Sequence, residues 1–175
     1  MDQMKRLIII LAITIAFVAG ASAQHRKLTV VLIRHAEKDV SATADKVNPV
    51  LTAEGKQRAE NLIRAVRKYK FDAVYSSDFI RTRETVAPLA AKRRLRVQIY
   101  NPRELKQMSE MIMSGKIKRL LIVGHNNTTP GLANLLLGRE EYTTLPESVY
   151  DKIFVVKIRR YKRKAVKAEV KVLTY

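Results

Sequence analysis

The chain has 175 residues, 47% of them hydrophobic and 29% charged, with no low-complexity stretch and no internal repeat, which excludes a disordered tail or a repeat solenoid. It contains no Cys, so thiolate nucleophiles, Cys-based zinc sites and disulfide frameworks are also excluded. The net charge of +18 favours anionic partners such as phosphorylated small molecules, lipid headgroups, lipopolysaccharide or nucleic acid, but a basic solvated surface explains it equally well.

Lys5 and Arg6 precede an unbroken apolar run from Leu7 to Ala19, which Gly20 ends. Ala21-Ser22-Ala23 then has the small-x-small pattern of a signal-peptidase site. Residues 1–23 are therefore expected to be a cleaved export signal, with a secreted or periplasmic destination, and residues 24–175 to form one domain. The run is shorter than the ~20 residues of a spanning helix. With no Cys near the cleavage point, a lipoprotein anchor is not expected.

Leu28 to Ile33 is a continuous β-branched and aliphatic run, the pattern of a strand buried on both faces. After a polar stretch ending at Pro49, Thr52 is placed to cap a helix from Ala53 to about Tyr69, with Ala59, Leu62, Ile63 and Val66 on one face. Ala73 to Tyr75 predicts a short strand and Phe79 to Lys92 a helix, in which Pro88 is expected to introduce a kink. Residues 97–99 predict a third strand. Arg103 to Ser114 predicts a helix stopped by Gly115, and Arg119 to Val123 a buried strand ending at Gly124-His125. A helix from about Pro130 to Leu137 follows, then strands over Ile153–Ile158 and Val166–Val172, joined by the basic tip Arg159 to Lys164 as an antiparallel hairpin. Alternating strands and helices make the class α/β with a mostly parallel, mixed sheet.

In such sheets ligands sit beyond the carboxyl ends of the strands. That rim would collect Arg34 and His35 after the first strand, Ser77 and Arg81 after the second, and His125 after a later one. The set suits a phosphoryl group. Guanidinium forks match phosphate oxygens, a neutral imidazole can attack phosphorus, and a second His can donate to the equatorial oxygens. Helix N-termini near Phe79 and Pro130 would add backbone donors.

Four blocks resemble the histidine phosphatase superfamily. Leu32-Ile33-Arg34-His35-Ala36-Glu37-Lys38 resembles its Arg-His-Gly signature, and Leu51-Thr52-Ala53-Glu54-Gly55 its Leu-Thr-x-x-Gly. Ser77 to Thr85 resembles its Ser-Asp-x-x-Arg-x-x-x-Thr, and Val123 to Pro130 its Gly-His block. The resemblance implies a three-layer α/β/α sandwich and a phosphatase of the phosphoglycerate mutase-like type. It also implies a covalent phosphohistidine on His35, a phosphoryl group held by Arg34, Arg81 and His125, and Asn127 as a further phosphate-binding candidate. No cofactor and no metal are expected, since two arginines beside the histidines would repel a cation.

The chain departs from the family pattern in two places. The signature Gly is Ala36 here, a residue still small enough for close backbone approach. The loop that carries a general acid in mutase-like members is missing after the third strand, leaving Glu104 and Glu37 as the candidate acids. Glu104 could equally be a first-turn carboxylate serving its own helix. A short chain without a well-matched acid resembles the small phosphohistidine phosphatases, whereas export fits an envelope or lipopolysaccharide phosphate, or a nutrient phosphate ester. A catalytically weak member acting as a phospho-ligand binder is the competing reading. The spacing of Asp39, Ser41, Thr43 and Asp45 imitates a calcium loop but lacks its glycine and terminal glutamate. The basic tip is read as protection of an edge strand, so no nucleic-acid partner is expected.

Overall fold

The computed structural model describes residues 26–41, 43–161 and 164–175. The expected export signal, and Lys162 and Arg163 of the basic tip, lie outside them. The chain builds strands β1 (Arg26–Arg34), β2 (Ala73–Ser77), β3 (Val97–Tyr100), β4 (Arg119–Gly124), β5 (Lys152–Tyr161) and β6 (Lys164–Thr174). Helices α1 (Ala53–Ala65), α2 (Ile80–Arg93), α3 (Leu105–Ser114) and α4 (Thr128–Leu137) separate the first five. No helix among the described residues is long and apolar enough to cross a membrane.

The sheet order is β3-β2-β4-β1-β5-β6. β1, β4, β2 and β3 pair in parallel, whereas β5 and β6 are antiparallel and close one side as a hairpin. Side-chain alternation divides the core between the two faces of the sheet. Leu28, Val30 and Leu32 of β1 join Leu120 and Ile122 of β4 under Met108 and Ile112 of α3 and Leu132 and Leu136 of α4. Val31 and Ile33 join Leu121 and Val123 under Leu62 of α1 and Val86 and Leu89 of α2. The central strands read as unbroken apolar runs because both faces are covered. The result is the expected three-layer sandwich.

Local boundaries follow identifiable partners. The Thr52 side chain accepts the Gly55 N–H at 3.0 Å and starts α1, which ends at Ala65, four residues before the expected Tyr69. Helix α2 runs continuously through Pro88 to Arg93. Its capping residue Phe79 offers no side-chain oxygen, so Asn48, from the long loop after β1, accepts the Ile80 N–H at 2.8 Å instead. Helix α4 starts at Thr128, ahead of the expected Pro130. The Thr128 hydroxyl receives the His125 N–H at 2.8 Å, and the Thr129 hydroxyl donates to the Ile33 carbonyl at 3.1 Å. These two threonines tie the end of β4 and the start of α4 to the end of β1.

Gly55 explains the second sequence block. A Cβ there would lie 2.3 Å from the Glu37 carbonyl oxygen, because the first turn of α1 packs directly on the backbone that follows the β1 rim. That same carbonyl accepts the Thr52 N–H at 2.9 Å. We expect Gly55→Ala to destabilise the fold by about 1–3 kcal/mol, as overpacking against backbone does. Urea denaturation measures this, and a neutral substitution would show that the contact can relax.

Candidate active site

The carboxyl ends of β1, β2 and β4 open onto a cavity of about 310 Å³ lined by Arg34, His35, Arg81, His125 and Asn127, with Lys38, Phe79, Pro102, Arg103, Asn126, Thr128 and Glu147 completing its walls. Parallel register makes this convergence unavoidable. Ile33 pairs with Val123 and Arg34 with Gly124, so His35 and His125 emerge side by side, their rings 5.4 Å apart and edge-to-face. Gly124 leaves room for the crowding. A Cβ there would approach the Thr128 hydroxyl to 2.6 Å and the Tyr100 hydroxyl to 2.8 Å.

His35 is 3% exposed, and its Nδ1 lies 2.8 Å from the Ala36 carbonyl. A carbonyl can only accept, so Nδ1 carries the proton and Nε2 is left with a free lone pair. Burial holds the imidazole far below its ordinary 6.5, at about 3. The Ala36 hydrogen bond opposes that shift, while His125, Arg81 and Arg34 reinforce it. The loop is fixed in turn by the Ala36 N–H, which donates to the Thr85 hydroxyl at 2.9 Å, and by that hydroxyl, which donates to the Arg81 carbonyl at 2.7 Å. Thr85, the last residue of the third sequence block, therefore locks α2 to the loop after β1.

His125 Nε2 lies 3.0 Å from the Ser77 hydroxyl, which donates to Thr82 Oγ1 at 3.1 Å. Thr82 in turn donates to the Ser77 or Phe79 carbonyl, at 2.8 and 2.9 Å. With the Ser77 proton directed at Thr82, the serine oxygen is free to accept the Nε2–H of His125. Phe79 packs edge-on against the imidazole at 5.1 Å. Burial, then Arg81 and Arg34, push His125 down to about 4.

Arg34 is 1% exposed. Its Nη1 donates to the carbonyls of Pro146, Glu147 and Val149 at 2.9, 2.9 and 3.0 Å, and its Nη2 to Glu147 Oε2 at 2.7 Å. The guanidinium carbon stands 4.1 Å from the centre of the Tyr150 ring. Among the described residues, the buried Nε atoms of Arg34 and Arg81 have no hydrogen-bond partner, and both side chains help line the cavity. Arg81 rests on Phe79, its guanidinium carbon 4.4 Å from the ring centre.

The four residues expected to handle phosphate are thus brought together, and Asn127 joins them at the cap of α4. The two carboxylates expected to serve as acid are not. Glu104 sits at the start of α3 and faces a separate depression with Tyr75, Ile99 and Gln107. Glu37 is engaged by Arg58, whose Nε donates to both carboxylate oxygens at 2.8 and 2.9 Å. Glu147 and Tyr150, on the segment between α4 and β5, were not anticipated because no local pattern marks them. Asp39 and Asp45 accept backbone N–H groups of Ser41, Val47 and Asn48 in the preceding loop. Among the described residues, no three His, Asp or Glu side chains converge to hold a metal ion.

A three-layer α/β domain whose strand rim gathers two neutral histidines with the buried Arg34 and the half-buried Arg81 is suited to a phosphoryl group. The family model described as "Histidine phosphatase superfamily (branch 1)" matches residues 30–116, a span holding Arg34, His35 and Arg81, and the chain belongs to that superfamily. The protein histidine phosphatase SixA, solved with tungstate, is 14% identical with a TM-score of 0.67, the alignment covering 84% of this chain and 97% of that one. A mycobacterial glucosyl-3-phosphoglycerate phosphatase is 12% identical with a TM-score of 0.66, over 85% of this chain and 99% of its own. The alpha-ribazole phosphatase of Shigella flexneri is 17% identical with a TM-score of 0.63, over 85% and 96%. These likenesses are of fold. A search of curated proteins gives no significant match.

The depressed histidines make stability depend on pH. Between 6.5 and about 4 the unfolded chain binds protons that the folded site refuses, so stability falls as pH falls through that window. We expect His35→Ala to lose less stability than wild type between pH 6.5 and 4.5 in urea titrations. Equal slopes would show that His35 is not held neutral.

Proposed function

We propose that the protein is an exported phosphatase that hydrolyses a phosphate monoester or phosphoramidate through a covalent phosphohistidine at His35. The observation that carries this reading is the Nδ1–H of His35 donated to Ala36, which leaves Nε2 unprotonated with its lone pair free among cations. His35 Nε2 attacks phosphorus and expels the leaving group. Arg34 and Arg81 bind the phosphoryl oxygens from the cavity wall, where His125 and Asn127 also lie. As charge builds on the equatorial oxygens, these donors are already in place and need no reorganisation. Water then attacks the phosphohistidine and releases phosphate. That a structural relative binds tungstate, a tetrahedral oxyanion, supports an oxyanion in this cavity.

Four cations line the cavity, Arg34, Lys38, Arg81 and Arg103, against the single carboxylate of Glu147, so the substrate is a small anionic phosphate compound. The chemistry needs no cofactor and no metal, because the arginines supply the charge stabilisation a cation otherwise provides. Export rests on the N-terminal pattern of residues 1–23 and makes a phosphorylated envelope component, including lipopolysaccharide phosphate, a reasonable substrate class. Nucleic acid is not part of this proposal.

Incubation with p-nitrophenyl phosphate, acid quenching and mass spectrometry should show phosphate on His35 of the wild type and none on His35→Ala, whose turnover falls by at least ~10³. Phosphate binding without turnover would favour the alternative of a phospho-ligand binding protein. EDTA should leave the rate unchanged, and a large loss would overturn the metal-free mechanism.

A further inference from the structure

Among the described residues, Glu147 is the one carboxylate on the walls of the cavity. Its Oε2 accepts from Arg34 Nη2 at 2.7 Å and its Oε1 from Asn126 Nδ2 at 2.8 Å, yet the side chain is 70% exposed. The backbone beneath it is immobilised, since Arg34 Nη1 binds the carbonyls of Pro146, Glu147 and Val149. The Asn126 carbonyl also accepts the Leu145 N–H at 2.9 Å. We propose that Glu147 is the acid–base residue that protonates the leaving group and then activates the attacking water, a proposal that rests on the phosphohistidine reading above.

Three features carry it. In-line displacement places the leaving oxygen opposite the attacking nitrogen. His35 is 3% exposed whereas Glu147 is open to solvent, so a leaving group directed away from the buried nucleophile passes the carboxylate. Arg34 is shared: its Nη2 holds Glu147, and its side chain lines the same cavity as His35, so the carboxylate is fixed on the wall that the proposed phosphoryl group would meet. Finally, the two carboxylates expected from the sequence are elsewhere, one engaged by Arg58 and the other beside a different depression.

The protons balance. A phosphate monoester, whose second pKa is about 6, enters partly as the monoanion and can pass its proton to Glu147. In the first step the Nε2–P bond forms and the P–O bond to the leaving group breaks, while the Glu147 proton moves to the departing oxygen. In the second, water gives a proton to Glu147, its oxygen bonds to phosphorus, and the Nε2–P bond breaks.

The test is a leaving-group series on wild type and Glu147→Gln, running from an alkyl phosphate through phenyl phosphate to 2,4-dinitrophenyl phosphate. We expect kcat/KM for the alkyl ester to fall by ~10² or more, the usual loss of general acid assistance, and by less than a tenth of that factor for the dinitrophenyl ester, whose phenolate needs no proton. The acid-quenched variant should also accumulate phosphohistidine from the dinitrophenyl ester, because its second step has lost a base. A uniform loss across the series, including complete inactivity, would make Glu147 only a brace for Arg34 and overturn the proposal, as would no loss at all. If the wild type forms no phosphoenzyme from the dinitrophenyl ester, the His35 reading itself fails. If it does and the series stays parallel, only the Glu147 assignment fails.

Discussion

The guanidinium of Arg34 is excluded from solvent at the end of a central strand, where an unpaired ion costs several kcal/mol. The fold meets that cost by bending the segment 146–150 around it, so that three carbonyls, a carboxylate and the face of Tyr150 surround one charge. The rest of the rim is arranged on this constraint. The path from α4 into β5 is set by it, and the carboxylate of Glu147 is delivered by it. A Lys could not substitute, because a point charge with three donors cannot hold a loop and an anion on different edges.

Burial decides the state of the histidines, and the charges of Arg34 and Arg81 reinforce it, so both are held neutral. For His35 the Ala36 carbonyl adds direction by fixing the tautomer, leaving Nε2 without a proton. The same two arginines thus make the cavity positive and reinforce the neutrality of the histidines.

The support beneath the site is made of small polar residues of the sequence blocks rather than of the core. Thr85 joins α2 to the loop after β1, Thr129 joins α4 to Ile33, and Thr52 and Gly55 seat α1 against Glu37. Thr85 and Thr129 lie in blocks that also send side chains to the cavity, whereas the block of Thr52 and Gly55 sends none and only supports the loop after β1. The blocks thus encode both cavity-lining groups and the contacts that keep them in register.

By itself the sequence determined the strands, the helices, the strand-end residues Arg34, His35 and His125, and Arg81 in the first turn of α2. Local periodicity and the rule that α/β sheets bind at their carboxyl rim require nothing from distant parts of the chain. Helix starts were less legible where the capping group came from elsewhere, as Asn48 does for α2, and where hydroxyls bound neighbouring strands, as at Thr128 and Thr129. The carboxylates show the limit most clearly. Glu37 and Glu104 lie near the nucleophile and the third strand in sequence, but one is drawn off by Arg58 and the other turns to a different depression. Glu147 is more than a hundred residues from Arg34 along the chain and meets it only because the buried guanidinium needs acceptors that its own strand, already hydrogen-bonded on both sides, has none to give.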